Sequence, residues 1–235
     1  MPNLRTRPVG DRALHLIGAI AVGALLALAC TNPPPLSQTQ LGEWALDNDG
    51  DWRQARIHFA LALREDPRSA RALHGQARAH LAARDPEAAL ASLGKIVKYD
   101  PAYFKTTAQK TYGNALEGVT VRRVAGNKTK SGLVSARALY KLDPNRSGVK
   151  RLLGQALLAE ADHRRLRGDR KTAYVLFEEA CGVVPQEIAG WVGAAEILIE
   201  YGKNKDAVRL LKAARRFHPT SGQIRTLSIQ AISTR

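Results

Sequence analysis

Few of the side chains that do chemistry stand at spacings that would let them do it. The six histidines are His15, His58, His74, His80, His163 and His218. None forms the His-Glu-x-x-His pair that holds zinc beside a general base, and His74 and His80, six apart, fall on different faces of a helix. Asp47, Asp49 and Asp51 around Gly50 bring a calcium loop to mind. Such a loop needs its glycine one place after the third acid and a glutamate at the twelfth position. Here the glycine lies inside the triplet and the twelfth residue from Asp47 is His58, so the acids read as turn formers and as favourable charges ahead of a helix N-terminus. No glycine-rich phosphate loop and no nucleophile elbow occurs. Cys181 follows the small Ala180 and has no partner constellation, so it reads as a packed small hydrophobe. The expectation is a chain that is not an enzyme, with no catalytic residue, metal site or cofactor.

The elements that carry these residues are marked by a recurrence before prolines. Seventeen, twelve, eight and five residues ahead of Pro67 stand Gly50, Ala55, Phe59 and Ala62; ahead of Pro185 stand Gly168, Ala173, Phe177 and Ala180; ahead of Pro219 stand Gly202, Ala207, Leu211 and Ala214. Pro67 to Pro101 is 34 residues, and so is Pro185 to Pro219. Self-similarity at that period implies a stack of helix pairs. Ala55, Phe59, Ala62 and Leu63 share one helical face; the small residues let neighbouring helices approach and the large one fills the gap between them. The glycine ends the first helix in the left-handed conformation that its missing Cβ permits, and Asn127, which tolerates the same geometry, holds that slot in the third unit. The proline stops the second helix.

These residues resemble the signature of the tetratricopeptide repeat. The last unit carries the first-helix half as well, in Trp191, Ala194, Ala195 and Leu198, and the second unit matches at Leu73, Ala77, Ala89, Leu93, Ile96 and Pro101. The resemblance implies an all-α superhelical stack of about five helix-turn-helix units over residues 41–235, at about 36–69, 70–103, 104–146, 147–187 and 188–221, with a capping helix at 222–235. In that cap, Ile224, Leu227 and Ala231 are spaced to share a buried face, and stacked repeats require such an end. Pro101 to Pro144 is 43 residues and Pro144 to Pro185 is 41. The second excess is close to two helical turns, which predicts a lengthened first helix from about Arg146 to Arg167. The first predicts an irregular third unit, with its extra residues within Ala115–Ser131.

In the repeat family, first-helix positions two, five, nine and twelve face a concave groove that receives a peptide or helix. By register these are Arg71, His74, Arg78 and Leu81 in the second unit, Ala189, Val192, Glu196 and Ile199 in the last, and Trp44 in the first. Trp and Arg dominate binding hot spots, which makes Trp44 an anchor candidate; packing against the next helix is the alternative. Family members that clamp a chaperone's carboxylate tail use Lys and Asn where His74 and Arg78 stand, so that ligand is not supported.

Ahead of the repeats, Arg5, Arg7 and Arg12 precede an apolar run from Leu14 to Ala29, broken only by His15. A basic start, a short apolar stretch and small residues before a cut make an export signal. The run is marginal for crossing about 30 Å of hydrocarbon. Ending on Ala29 and Cys30, it resembles a bacterial lipoprotein signal over residues 1–29, although Ala27 and Leu28 depart from the commonest form. The resemblance implies cleavage before Cys30 and its acylation, with an uncleaved anchor or plain export as alternatives. Residues 30–40 hold Pro33, Pro34 and Pro35, an extended spacer. Thr31, where an aspartate tends to retain such proteins at the inner membrane, points to the outer membrane facing the periplasm.

Charge is unevenly spread. Of the net +15, residues 30–101 contribute zero, with nine basic and nine acidic side chains. Residues 102–144 hold eight against two, and residues 145–235 hold sixteen against nine. Arg122, Arg123, Lys128 and Lys130, then Arg164, Arg165 and Arg167, form a basic patch that would draw anionic partners. Export argues against nucleic acid. Signal, spacer and repeats together imply a lipid-anchored scaffold for protein partners of the envelope machinery, of the layout of pilotins and outer-membrane assembly factors. The alternative is an envelope-binding module whose basic middle docks on anionic lipid or cell-wall polymer.

Overall fold

A computed structural model of the chain describes residues 35–233. The export signal, Cys30, Pro33 and Pro34 lie outside the described residues, and the last three residues of the expected extended spacer, 38–40, belong to the first helix. The helices run α1 Gln38–Asp47, α2 Trp52–Glu65, α3 Ala70–Ala82, α4 Pro86–Tyr99, α5 Pro101–Tyr103, a π turn Phe104–Ala108, α6 Gln109–Ala125, α7 Thr129–Leu142, α8 Val149–Leu166, α9 Arg170–Val183, α10 Ile188–Glu200, α11 Asn204–Ala214 and α12 Gly222–Ser233. There is no strand among the described residues. The pairs α1/α2, α3/α4, α6/α7, α8/α9 and α10/α11 each pack on themselves and on the next, and each first helix also touches the first helix of the following pair. The fold is an all-α stack of helix-turn-helix repeats closed by α12, whose Ile224 and Ala231 are buried.

Local chemistry explains the boundaries. Asp51, Ser69, Asp85 and Asp169 cap α2, α3, α4 and α9, each side chain accepting a first-turn N–H. Between the helices of a pair the backbone turns left-handed at Gly50, Gly168, Gly202 and Asn127, as the recurrence implies. The second unit fills that slot with Arg84, at φ 57°. In four turns the next residue reaches back to the helix carbonyl five places earlier: Asp85 to His80, Lys128 to Arg123, Asp169 to Arg164 and Lys203 to Leu198, at 2.8–3.0 Å. Those bonds satisfy carbonyls that the helix end would otherwise orphan.

The repeats interlock by large-into-small packing. Phe59 on α2 is fully buried, and a Cβ on Gly75 of α3 would stand 2.2 Å from its Cε1. Phe177 on α9 repeats the contact against Gly193 of α10, where the distance would be 2.6 Å. Only glycine admits the ring at these places. Gly75 and Gly193 each lie eight residues after a unit's closing proline, a recurrence the signature residues named above do not include.

The third unit is not irregular in the expected way. Residues 115–125 are helical, the turn after them is of ordinary length, and the extra residues enter at the other end. Asp100 accepts the N–H of Tyr103, and Pro101 stands where a helix needs no N–H donor. The closing proline of one unit therefore opens the first helix of the next with no loop between. The surplus residues lengthen that first helical run, which continues from Pro101 through the π turn Phe104–Ala108 to Ala125. Tyr103, Phe104, Ala108 and Tyr112 then pack against the core made by Leu73, Ala77, Leu93 and Ile96. In the fourth unit α8 is long as expected, 18 residues against 13 in α3.

Candidate functional site

Most of the charge on the predicted groove residues is compensated by partners on neighbouring first helices. Arg71 on α3 donates from Nε and Nη2 to both carboxylate oxygens of Glu43 on α1, at 2.7 and 2.6 Å. Arg78, two turns on, pairs with Asp47 of the same helix as Glu43. His74 lies between them, with Nε2 2.8 Å from the Thr111 hydroxyl of α6 and Nδ1 3.3 Å from the Tyr103 hydroxyl. Its burial, with the nearby Arg78 charge, holds its pKa below the ordinary histidine value, so the ring is neutral at pH 7 and bridges α3 to the third unit as a hydrogen-bonding group. At the other end Glu196 of α10 accepts from Arg165 of α8 at 2.6 Å. Val192 is half-buried. Trp44 stands apart: it shares α1 with Glu43 and Asp47, yet 54% of its surface is exposed.

These bridges join one first helix to the next. Exposed pairs of this kind contribute about 0–1 kcal/mol each, so their effect is registry between units more than stability. The consequence for recognition is that Arg71, Arg78 and Glu196 do not offer free charges to a ligand.

The basic patch divides in the same way. Arg122 donates to Glu87 at 2.7 Å and also reaches the Arg84 carbonyl, bracing the strained turn of the second unit. Arg123 donates to the Ser135 hydroxyl at 2.9 Å, and Arg165 is taken by Glu196 and Asp162. Arg164 bonds Glu160 at 2.6 Å and Asp169 at 3.3 Å. Glu160 is 3% exposed and also accepts from the Thr129 hydroxyl at 2.6 Å. Burial alone would raise its carboxyl; the bonds from Thr129 and Arg164, helped by the charges of Arg164 and His163, outweigh burial and hold it below the usual range. Lys128, Lys130 and Arg167 are exposed and enter no ion pair among the described residues. The structure gathers them: Lys130 and His163 line two clefts at once, one with Lys128 and Val134, the other with Arg167 and Arg164.

A larger cleft of about 740 Å³ runs between α9 and α11 over the end of α10, lined by Tyr174, Val175, Leu198, Tyr201 and Leu210. Its counterpart in the first unit, about 340 Å³, is lined by Arg56, Ile57, Gln76 and His80. Ile57, Val134 and Val175 all stand ten residues before their unit's proline and are all more than half exposed. Cys181 packs with Trp191 and Leu211; burial, then the charge of Glu178, pushes its thiol up to about 12, so it is no nucleophile at neutral pH. Among the described residues no group of three His, Cys, Asp or Glu is placed to hold a metal ion. No helix of theirs is long and apolar enough to cross a membrane.

Comparisons with known proteins add little to this. No family profile matches the chain, and no curated protein matches it. Among solved structures it is similar to a thermophilic TPR protein of Thermus thermophilus, at 20% identity over 83% of this chain and 97% of that one, with a TM-score of 0.35. YrrB, a TPR protein with an unusual peptide-binding site, shares 15% identity over 80% of this chain and 87% of that one, with a TM-score of 0.39. A tetratricopeptide repeat protein from Parabacteroides merdae shares 14% over 94% of each chain, with a TM-score of 0.35. The fold assignment rests on the helix pairs and the signature residues at their contacts.

Most of the neutralising acids were out of reach of sequence reasoning. Glu43, Asp47 and Glu196 lie 28, 31 and 31 residues from Arg71, Arg78 and Arg165, and no local pattern announces such pairs; Glu160, four residues before Arg164 on one helix, was within reach. Gly75 and Gly193 were within reach, through their common distance from a proline.

Proposed function

We propose that the chain is a non-catalytic scaffold that holds a protein partner by laying a peptide or helix along its first helices. The observation that carries this is Trp44, 54% exposed on α1, a helix whose Glu43 and Asp47 are already paired with Arg71 and Arg78 of α3. A partner meeting that surface finds an apolar anchor and hydrogen-bonding groups, with little net charge. It should therefore present an apolar side chain on an extended or helical segment, in place of an anionic tail.

The lipoprotein-like start at residues 1–30 supports a finer reading. Acylated at Cys30 and spaced by Pro33–Pro35, the stack would stand at the periplasmic face of the outer membrane and assist assembly or localisation of an envelope complex, as pilotins do. The test is crosslinking and pull-down from native membranes with wild type, Trp44→Ala and Cys30→Ala. Loss of a true hot spot costs about 2 kcal/mol or more, so Trp44→Ala should reduce recovery of the partner by more than about tenfold. Undiminished recovery overturns the groove reading. Mass spectrometry should find acyl chains on Cys30 in the wild type, and their absence removes the anchor. Normal assembly of every secretin and porin after gene deletion removes the assembly role.

A further inference from the structure

We propose that the corner formed by the 126–130 turn and the C-terminal end of α8 is a docking surface for a bilayer rich in anionic lipid. Lys128, Lys130 and Arg167 converge there around His163, unpaired with any acid of the described residues. The acids nearest to them are already committed: Glu160 to Thr129 and Arg164, Asp169 to Arg164 and the Thr172 N–H. The corner therefore presents its positive charge outward.

A second observation selects lipid over a soluble polyanion. Leu166 and Val134, at 85% and 63%, are the most exposed large apolar side chains among the described residues. Both flank the cations: Leu166 precedes Arg167 one turn after His163, and Val134 lines the cleft with Lys128 and Lys130. Basic side chains are drawn to anionic headgroups, while neighbouring apolar ones enter the boundary below them. A water-soluble polymer uses the charge and leaves Leu166 in water. Docking of this kind needs nothing in the first-helix groove and stands or falls apart from the scaffold reading.

The apolar run Leu14–Ala29 could hold the full chain on any bilayer, so the readout must come from the corner. Hydrogen exchange is followed on the full chain with neutral phosphatidylcholine vesicles and with vesicles containing about one-third phosphatidylglycerol. Exchange over residues 126–134 and 160–169 should slow by about threefold or more on the anionic vesicles only, and the slowing should fade above about 0.5 M salt as screening sets in. Combined Lys128→Glu, Lys130→Glu and Arg167→Glu should abolish the difference at an unchanged melting temperature. Should that variant not fold, Leu166→Asp, at a site with no packing role, should still reduce it. Equal slowing on neutral vesicles overturns the proposal. So does equal slowing by soluble polyglutamate that Leu166→Asp leaves untouched.

Discussion

The first and fourth units are joined to their neighbours differently from the third. In the first and fourth units a phenylalanine eight residues before the proline enters a glycine gap in the next helix, Phe59 against Gly75 and Phe177 against Gly193. The third unit has Ala136 at that place and binds its neighbours by longer helices and polar ties: the π turn at Phe104–Ala108, Thr129 and Arg164 on Glu160, and Arg146 on Glu117 at 2.7 Å. Steric interlocking tolerates one geometry. Polar ties over long helices accept inserted residues, and in this chain the insertions, the unpaired cations and the exposed Leu166 fall within or beside those long helices. The difference teaches that the repeat varies where its packing is least exacting.

Five substitutions break or sharpen that contrast. The largest effect belongs to the interlock: Phe177→Ala should cost about 3–5 kcal/mol in urea unfolding, because a buried ring is lost and its cavity cannot collapse onto glycine. Next comes the polar tie. Glu160→Gln should cost roughly 1.5–3 kcal/mol, the range for hydrogen bonds to a charged group. Its pH signature has a definite sign. The folded carboxyl lies below its ordinary value of 4.5, so its contribution is present above that pH and disappears as pH falls through the folded value. The variant should lose less stability than wild type on acidification below 4.5, as measured by melting temperature against pH.

A matched pair of glycines comes third. Gly75→Ala forces a methyl into Phe59 and should destabilise by about 1–3 kcal/mol. Gly94→Ala, within α4 with no atom inside 4 Å of the added Cβ, should stabilise by roughly 0.5–1 kcal/mol. If both substitutions shift stability in the same direction, helix propensity and not the ring contact governs the joint. Arg84→Gly comes last, at about the size expected for Gly94→Ala. Relieving a left-handed non-glycine should add about 1 kcal/mol, bringing the second unit's turn into line with those at Gly50, Gly168 and Gly202.

Much of the stack was legible from residue spacing. The small residues and Phe at helix contacts, the left-handed glycines, Asn127 in the glycine slot, the long fourth-unit helix and the cap all follow from local rules repeated at a fixed period. The third unit misleads because Pro101 has two uses. A proline that ends one helix also suits the first turn of another, and only the capping bond from Tyr103 to Asp100 tells which applies. Less of the candidate site was legible. Register named Trp44, Arg71, His74 and Arg78, but the accessibility of the last three depends on Glu43, Asp47 and Thr111, which belong to other repeats.

The sequence by itself determined the helix pairs, their joints and the surplus of positive charge, because periodicity, glycine and proline act over a few residues. Only the tertiary structure decided which charges remain free. Pairing depends on distances across units, roughly thirty residues apart in the chain, and at those separations Arg71, Arg78, Arg122 and Arg165 found acids while Lys128, Lys130 and Arg167 did not.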